Sequence, residues 1–423
     1  MGEARGLDRR RLLVAGGGAG VGAVSALGLE SARRAGAPPA AAPQDTTRAA
    51  PQGRGQAVEP FHGARRAGVA TAPQAFAAFV ALDLSRDTTR DAVRRLLGVL
   101  SEDAAALTQG RAPVADQEPW LAEHPARLTV TLGFGRRLLG LVAPDRTPAW
   151  LRPLPPFSID RLEERWSDGD LLLQICADDR LAVSHAQRVL LKAARSFAAV
   201  RWVQDGFRHT VGSVPDGQSM RNLFGQVDGT VNPRGGSEEY ERVVHGRDGF
   251  APWVPDGTAL VVRRIAMNLD TWDEADTPAR EDAVGRRLRN GAPLTGGAEH
   301  DEPDLAARGP LGFPVIADYA HVRRSRSEDP LERIHRRVYN YDLPMAGASG
   351  TRGRGATTGG VSDAGMVFAA YCADVDRQFV PIQRRLDELD MLNAWTTPVG
   401  SAVFAVPPGC AEGGFVGAVL FQG

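Results

Sequence analysis

The chain has 423 residues, with 50 Lys+Arg against 51 Asp+Glu, and is 43% hydrophobic and 24% charged. That length allows roughly two to four domains, and the near-average globular composition excludes wholesale disorder. A net charge of −1 gives no general attraction to nucleic acid or to an anionic membrane. Three scattered cysteines, Cys176, Cys372 and Cys410, make neither a disulfide framework nor a C-x-x-C metal knuckle. An exported chain without stapling disulfides would rely on a large core, with or without a bound cofactor. Lys192 is the only lysine, so the positive charge is almost all arginine, which we read first as a genome bias.

The N-terminus reads as an address. Asp8-Arg9-Arg10-Arg11-Leu12-Leu13 carries paired arginines before a hydrophobic pair, the pattern of a twin-arginine export signal. The stretch from Leu12 to Leu29 has six glycines in eighteen residues, weak for a spanning helix of about 20 apolar residues. Ala35-Gly36-Ala37 offers a small-residue cleavage site; an uncleaved anchor helix is the alternative. We expect a signal peptide over 1–37 and a disordered Pro/Ala/Gln/Gly-rich linker over 38–58. The mature protein is then expected in the periplasm or outside the cell, delivered by the twin-arginine export machinery.

Beyond the linker the hydrophobic pattern becomes regular. Phe76–Leu84 reads as a strand, Arg90–Leu100 as a helix, and Leu128–Leu132 and Asp170–Ala177 as strands. Leu181–Phe197 reads as a helix and Val200–Gln204 as a strand. This β-α-β-β-α-β order is that of a ferredoxin-like unit. It recurs in Ala259–Met267 (strand), Arg280–Leu288 (helix), Ile334–Tyr341 and Gly365–Ala373 (strands), Arg377–Leu389 (helix) and Ser401–Val406 (strand). The expected fold is α+β, two ferredoxin-like domains with antiparallel sheets over 59–215 and 216–423, with a long insertion at 269–333.

No G-x-G-x-x-G follows a strand, and no Walker loop, G-x-S-x-G or H-E-x-x-H occurs. The segment Asn222-Leu223-Phe224-Gly225-Gln226-Val227-Asp228-Gly229-Thr230-Val231-Asn232-Pro233 stands out. An aspartate among turn formers presents a carboxylate beside exposed backbone N–H groups, or is simply an Asp-Gly turn. Of eight histidines no pair has the i, i+4 metal spacing, although one histidine suffices to ligate a haem iron. His321 precedes the basic run Arg323-Arg324-Ser325-Arg326, and His335 precedes Arg336-Arg337. Such arginines either pair with haem propionates or form a solvated basic edge.

The run Gly225-Gln226-Val227-Asp228-Gly229-Thr230-Val231-Asn232-Pro233 resembles the G-x-x-D-G hallmark of dye-decolourising (DyP-type) haem peroxidases. Similar segments are Pro60-Phe61-His62-Gly63, Gly169–Ala177, Val200-Arg201-Trp202 with Gly206-Phe207, Val262–Ile265 and Arg336–Tyr341, an ordered set over about 60–420. With the export signal they resemble the exported branch that includes the deferrochelatase/peroxidase. The resemblance implies one haem b (iron protoporphyrin IX) per chain, in the C-terminal half.

It further implies that His321 ligates the iron, that Asp228 is the distal acid/base and Arg336 the distal arginine. Gly229, Thr230 and Val231 would form the backbone turn against the haem, and Met366 and Phe368 would line its distal side. Asp374 would stand behind the ligand. The family's Asn-Pro-Arg after the histidine is missing, leaving Arg326 as the candidate propionate partner. The implied activity is reduction of hydrogen peroxide, through a ferryl state, at the expense of dye-like or phenolic organic reductants. Electrons would travel from Trp202, Tyr339 or Tyr341. Two alternatives stay open: an iron-supply protein that releases iron from haem, working with iron-uptake components, and a ferredoxin-like binding module without haem. The implied partners include no nucleic acid and allow a homo-oligomer.

Overall fold

The computed structural model describes residues 53–215, 217–344 and 362–422. The expected signal peptide and most of the expected linker lie outside them. Within Gly53–Val58, however, the chain is docked: the Gly55 and Ala57 carbonyls accept from the Ala126 and Arg127 amides at 2.8 and 2.6 Å.

The first half runs β1 (Phe76–Leu84), α1 (Arg90–Thr108), β2 (Thr129–Phe134), α2 (Arg136–Val142), β3 (Leu171–Ala177), α3 (Arg180–Ala194) and β4 (Ala198–Phe207). Helix α1 starts where the Thr89 hydroxyl accepts from the Ala92 amide and buries Val93, Leu96, Leu97, Leu100 and Ala104 along one stripe. The second half contains β7 (Thr258–Met267), α5 (Leu269–Glu274), α6 (Thr277–Val284), α7 (His321–Arg324), β8 (His335–Pro344), β9 (Ser362–Cys372), α8 (Val380–Leu389) and β10 (Thr396–Val406). Between the halves lie the short strands β5 (Met220–Arg221) and β6 (Val227–Asp228) and helix α4 (Glu238–His245). Helix α6 stops earlier than the apolar spacing predicts. Gly285, at φ +82°, caps it in the left-handed region, and Arg286 leaves to bridge Pro293.

Each half is a ferredoxin-like antiparallel sheet. By order of appearance its strands lie 4-1-3-2, as β4-β1-β3-β2 and as β10-β7-β9-β8. The two sheets join edge to edge, β2 to β10 at Phe134–Ala405 and β4 to β8 at Phe207–Asn340, closing an eight-stranded barrel. Closure removes free sheet edges, and the strand pattern alone does not announce it.

Both faces of the second sheet are buried, and their contents differ. Phe79, Leu172, Val262, Tyr339, Tyr341, Val367, Tyr371 and Phe404 fill the barrel interior. On the outer face Met267, Val338 and Met366 pack with Met220, Phe224, Trp272, Val284 and Leu392 from the insertions, with Phe368 at the margin. Register sets this division. Val338 stands opposite Phe368 and Asn340 opposite Met366, so these four share the outer face with Arg336, while Arg337, Tyr339 and Tyr341 point inward. Among the described residues no helix is long and apolar enough to cross a membrane.

Candidate functional site

The site begins with the turn between β5 and β6. Asn222 Oδ1 accepts from the amides of Phe224 and Gln226, and Gly225 takes φ +77°, so the chain reverses and β6 presents Asp228. Gly229 follows at φ +116°, and a Cβ built there would meet no protein atom within 4 Å. Asn232 closes the turn through its amide to the Gly229 carbonyl at 3.1 Å.

Arg336, on the outer face of β8, donates from Nη1 to Asp228 Oδ1 at 3.0 Å, a contact 108 residues apart in sequence. The pair is largely but not wholly buried, 20% and 11% exposed. Thr230 Oγ1 donates to Glu299 Oε1 at 2.9 Å, as does Ser219 Oγ at 2.5 Å, pinning the turn to the insertion. Val231 is exposed, and its carbonyl accepts from Arg333.

His321 opens α7. Its Nδ1 lies 2.6 Å from Asp390 Oδ2. The other Asp390 oxygen accepts from the Leu392 amide at 3.0 Å, so the carboxylate is held by its own turn. Burial disfavours the charged ring, but the charge of Asp390 and its hydrogen bond to Nδ1 outweigh it. They raise the His321 pKa above the usual histidine value. The charges of Arg336 and Asp228 also reach the ring. Among the hydrogen bonds of the described residues none engages Nε2.

Asp374 does not stand behind His321. Its Oδ1 accepts from the Arg377 amide at 3.1 Å and starts the helical turn before α8; an aspartate ahead of a helix serves first as a cap. Asp390 takes the position instead, 69 residues from His321, with no local spacing to reveal it. The basic run after His321 is mostly structural. Arg323 donates to the Leu305, Ile316 and Ala317 carbonyls, and Arg324 to the Arg385 carbonyl and Glu388. Arg326 is paired with Glu302 and acts on Arg286, which also feels Arg336 and Glu299.

Trp202, Tyr339 and Tyr341 are 5%, 0% and 1% exposed and face the barrel interior, so none is a surface electron donor. His335 is buried edge-on to Tyr240 at 5.1 Å, with burial holding its pKa down at about 4. A shallow concavity of about 550 Å³ on the outer face of α3, lined by Arg188, Lys192 and Arg195, contains none of the site residues.

These features define a class: a paired sheet protein with an imidazole held through one nitrogen by a carboxylate, beside an acid–guanidinium pair and an apolar wall of Val338, Met366 and Phe368. Such a donor set fits an iron porphyrin. The imidazole would have Nε2 free for a metal, Gly229 would leave room for a flat macrocycle, and an apolar wall would suit its face.

Comparison with known proteins gives the family. The N-terminal model of the Dyp-type peroxidases matches residues 66–208 and the C-terminal model matches 219–411. A dye-decolorizing peroxidase of Thermobifida fusca (strain YX) is 39% identical over 382 residues, 85% of this chain and 86% of that protein. A deferrochelatase of Yersinia pestis bv. Antiqua (strain Nepal516) is 32% identical over 431 residues, 97% of this chain and 94% of that protein. The crystal structure of a DyP-type peroxidase from Cellulomonas bogoriensis superposes with a TM-score of 0.80 at 53% identity, over 88% of this chain and 100% of that one. An oxyferrous complex of DtpA from Streptomyces lividans superposes at 0.79 and 38% identity, over 87% and 99%. The chain belongs to the Dyp-type peroxidase family. It is a haem peroxidase, and haem is its cofactor.

Proposed function

We propose that this protein is an exported haem b peroxidase in which His321 ligates the iron and Asp228 and Arg336 act on hydrogen peroxide. The carrying observation is the Asp228–Arg336 ion pair at 3.0 Å, within electrostatic reach of a histidine anchored by Asp390. Haem, when bound, supplies the iron that accepts the oxidising equivalents of peroxide and passes them to an organic reductant.

The chain's own residues do the rest. Asp390 fixes the His321 ring through Nδ1, leaving Nε2 for the metal and making the imidazole a stronger donor. Asp228 takes a proton from one peroxide oxygen and returns it to the oxygen that leaves as water. Arg336 places positive charge where negative charge develops on that departing oxygen. Met366, Val338 and Phe368 keep the surroundings apolar, which strengthens both electrostatic effects. Arg326, beside Arg286, is the candidate for pairing with the haem propionates, in exchange with Glu302.

Purified holoprotein with hydrogen peroxide and a dye or phenolic reductant is expected to turn over many times with its haem intact. The similarity to deferrochelatases makes iron release the second reading. Free iron accumulating from bound haem, without multiple turnovers on a reductant, would favour it.

Export rests on the paired arginines near the N-terminus. Arg9→Lys together with Arg10→Lys is expected to leave precursor in the cytoplasm, because the twin-arginine route reads the guanidinium pair. Fractionation followed by immunoblotting checks this, and normal export of the double variant would remove the twin-arginine assignment.

A further inference from the structure

Arg336 is anchored by more than its own strand. In an antiparallel ladder the N–H and C=O of one residue point to the same side. For Arg336 both are taken by one side chain: its amide donates to Asn232 Oδ1 at 3.0 Å, and its carbonyl accepts from Asn232 Nδ2 at 2.7 Å. Strand β9 lies on the other side of β8, with Ala370 opposite Arg336. On the Asn232 side β4 pairs with β8 at Phe207–Asn340, four residues further along.

The β8 edge at Arg336 therefore has a carboxamide where a neighbouring strand would supply a peptide group. Only an amide side chain carries a donor and an acceptor at that spacing. Aspartate keeps the acceptor and loses the donor, and alanine loses both. The same turn carries Asp228 at its head, closed by the Asn232 amide on the Gly229 carbonyl at 3.1 Å. One five-residue segment thus holds the acid and grips the backbone of its guanidinium partner.

We propose that Asn232 is a positioning residue for the peroxide reaction: its carboxamide completes the edge of β8 and sets Arg336 against Asp228. The inference rests on the reading of Asp228 and Arg336 given above. Its first test needs no haem. In the apoprotein, Asn232→Ala is expected to speed hydrogen exchange at the Arg336 amide at least about 10-fold, the scale of losing one well-formed hydrogen bond. The Arg337 amide, which points toward β9, should keep its protection. Asn232→Asp should leave the Arg336 amide protected, because the acceptor survives, and should the alanine variant not fold its slowing of the peroxide reaction in the cycle that follows carries the proposal.

The second test is a double-mutant cycle on holoprotein at matched haem content. Asn232→Ala is expected to slow the peroxide-induced change of the haem spectrum about 10-fold in the wild-type background and less than about 2-fold beside Arg336→Leu, because residues acting as a unit are not additive. For Asn232→Asp the same pattern is expected, with a smaller first effect. Unchanged exchange at the Arg336 amide in Asn232→Ala, or equal slowing in both backgrounds, overturns the proposal. If Arg336→Leu alone reacts at the wild-type rate, the assignment of the pair falls. The clamp then has no part in the reaction, even where exchange shows it to be present.

Discussion

Replacing His321 with alanine is expected to strip the protein of most of its haem, or of the ordinary ferric haem spectrum in what remains. Losing only a group behind a metal ligand typically costs about 10–100-fold in affinity or activity. Losing the ligand itself should cost at least the lower figure. Three other histidines are committed elsewhere. His335 is buried on the opposite face of β8 against Tyr240, His185 is paired with Asp116, and His245 is bonded to the Gly257 carbonyl.

Asp390→Asn should act in the same direction with a graded effect. A carboxamide oxygen can still accept from Nδ1 but brings no charge, so haem affinity or the rate with peroxide should fall within that about 10–100-fold range. Haem titration of the apoprotein and absorption spectra of both variants measure this. Unchanged haem content and spectrum in His321→Ala would move the ligand to another residue. An Asp390→Asn protein identical to wild type would reduce Asp390 to a cap.

Much of this architecture could be read from residue order. The apolar run Phe76–Leu84 is β1 to the residue, and the twofold β-α-β-β-α-β order is the order found in the second half as well as the first. Strong periodicity makes elements legible. It does not say which face of a strand points where when both faces are buried. Tyr339 and Tyr341 alternate with Val338 and Asn340, and only the register with β9 puts the tyrosines inside the barrel and leaves Val338 beside Met366 and Phe368. Long-range pairing is equally hidden. Asp374 sits in an acidic, turn-forming context like that of Asp390, yet one caps a helix while the other meets His321, and only the folded path of the 390–395 turn decides between them. Asn232 belongs to a segment whose resemblance to a known motif is plain, but its grip on Arg336 spans 104 residues and depends on where β4 stops pairing.

The remaining large effect lies with Asp228 and Arg336. One moves a proton and the other supports the charge that the proton transfer leaves behind, so removal of either should impair the same step for different reasons. General acid–base groups contribute about 10²–10⁴-fold, and one preorganised electrostatic donor about 10²–10³-fold. The contact between them is a single 3.0 Å hydrogen bond, and each partner keeps some exposure to water. Asp228→Asn and Arg336→Leu are each expected to retain haem, because neither contributes to the His321–Asp390 pair. Each should slow the peroxide-induced spectral change by at least about 10-fold. The double variant should fall well short of the product of the two losses. Once the carboxylate is gone, the guanidinium has no proton transfer to assist, and residues that act as a unit are strongly non-additive. Stopped-flow mixing with hydrogen peroxide at matched haem content gives all three rates. Wild-type rates in both single variants would make the turn at Asp228 a structural element only. Full additivity in the double would mean that the two residues serve separate steps, and that the ion pair between them is incidental to the chemistry.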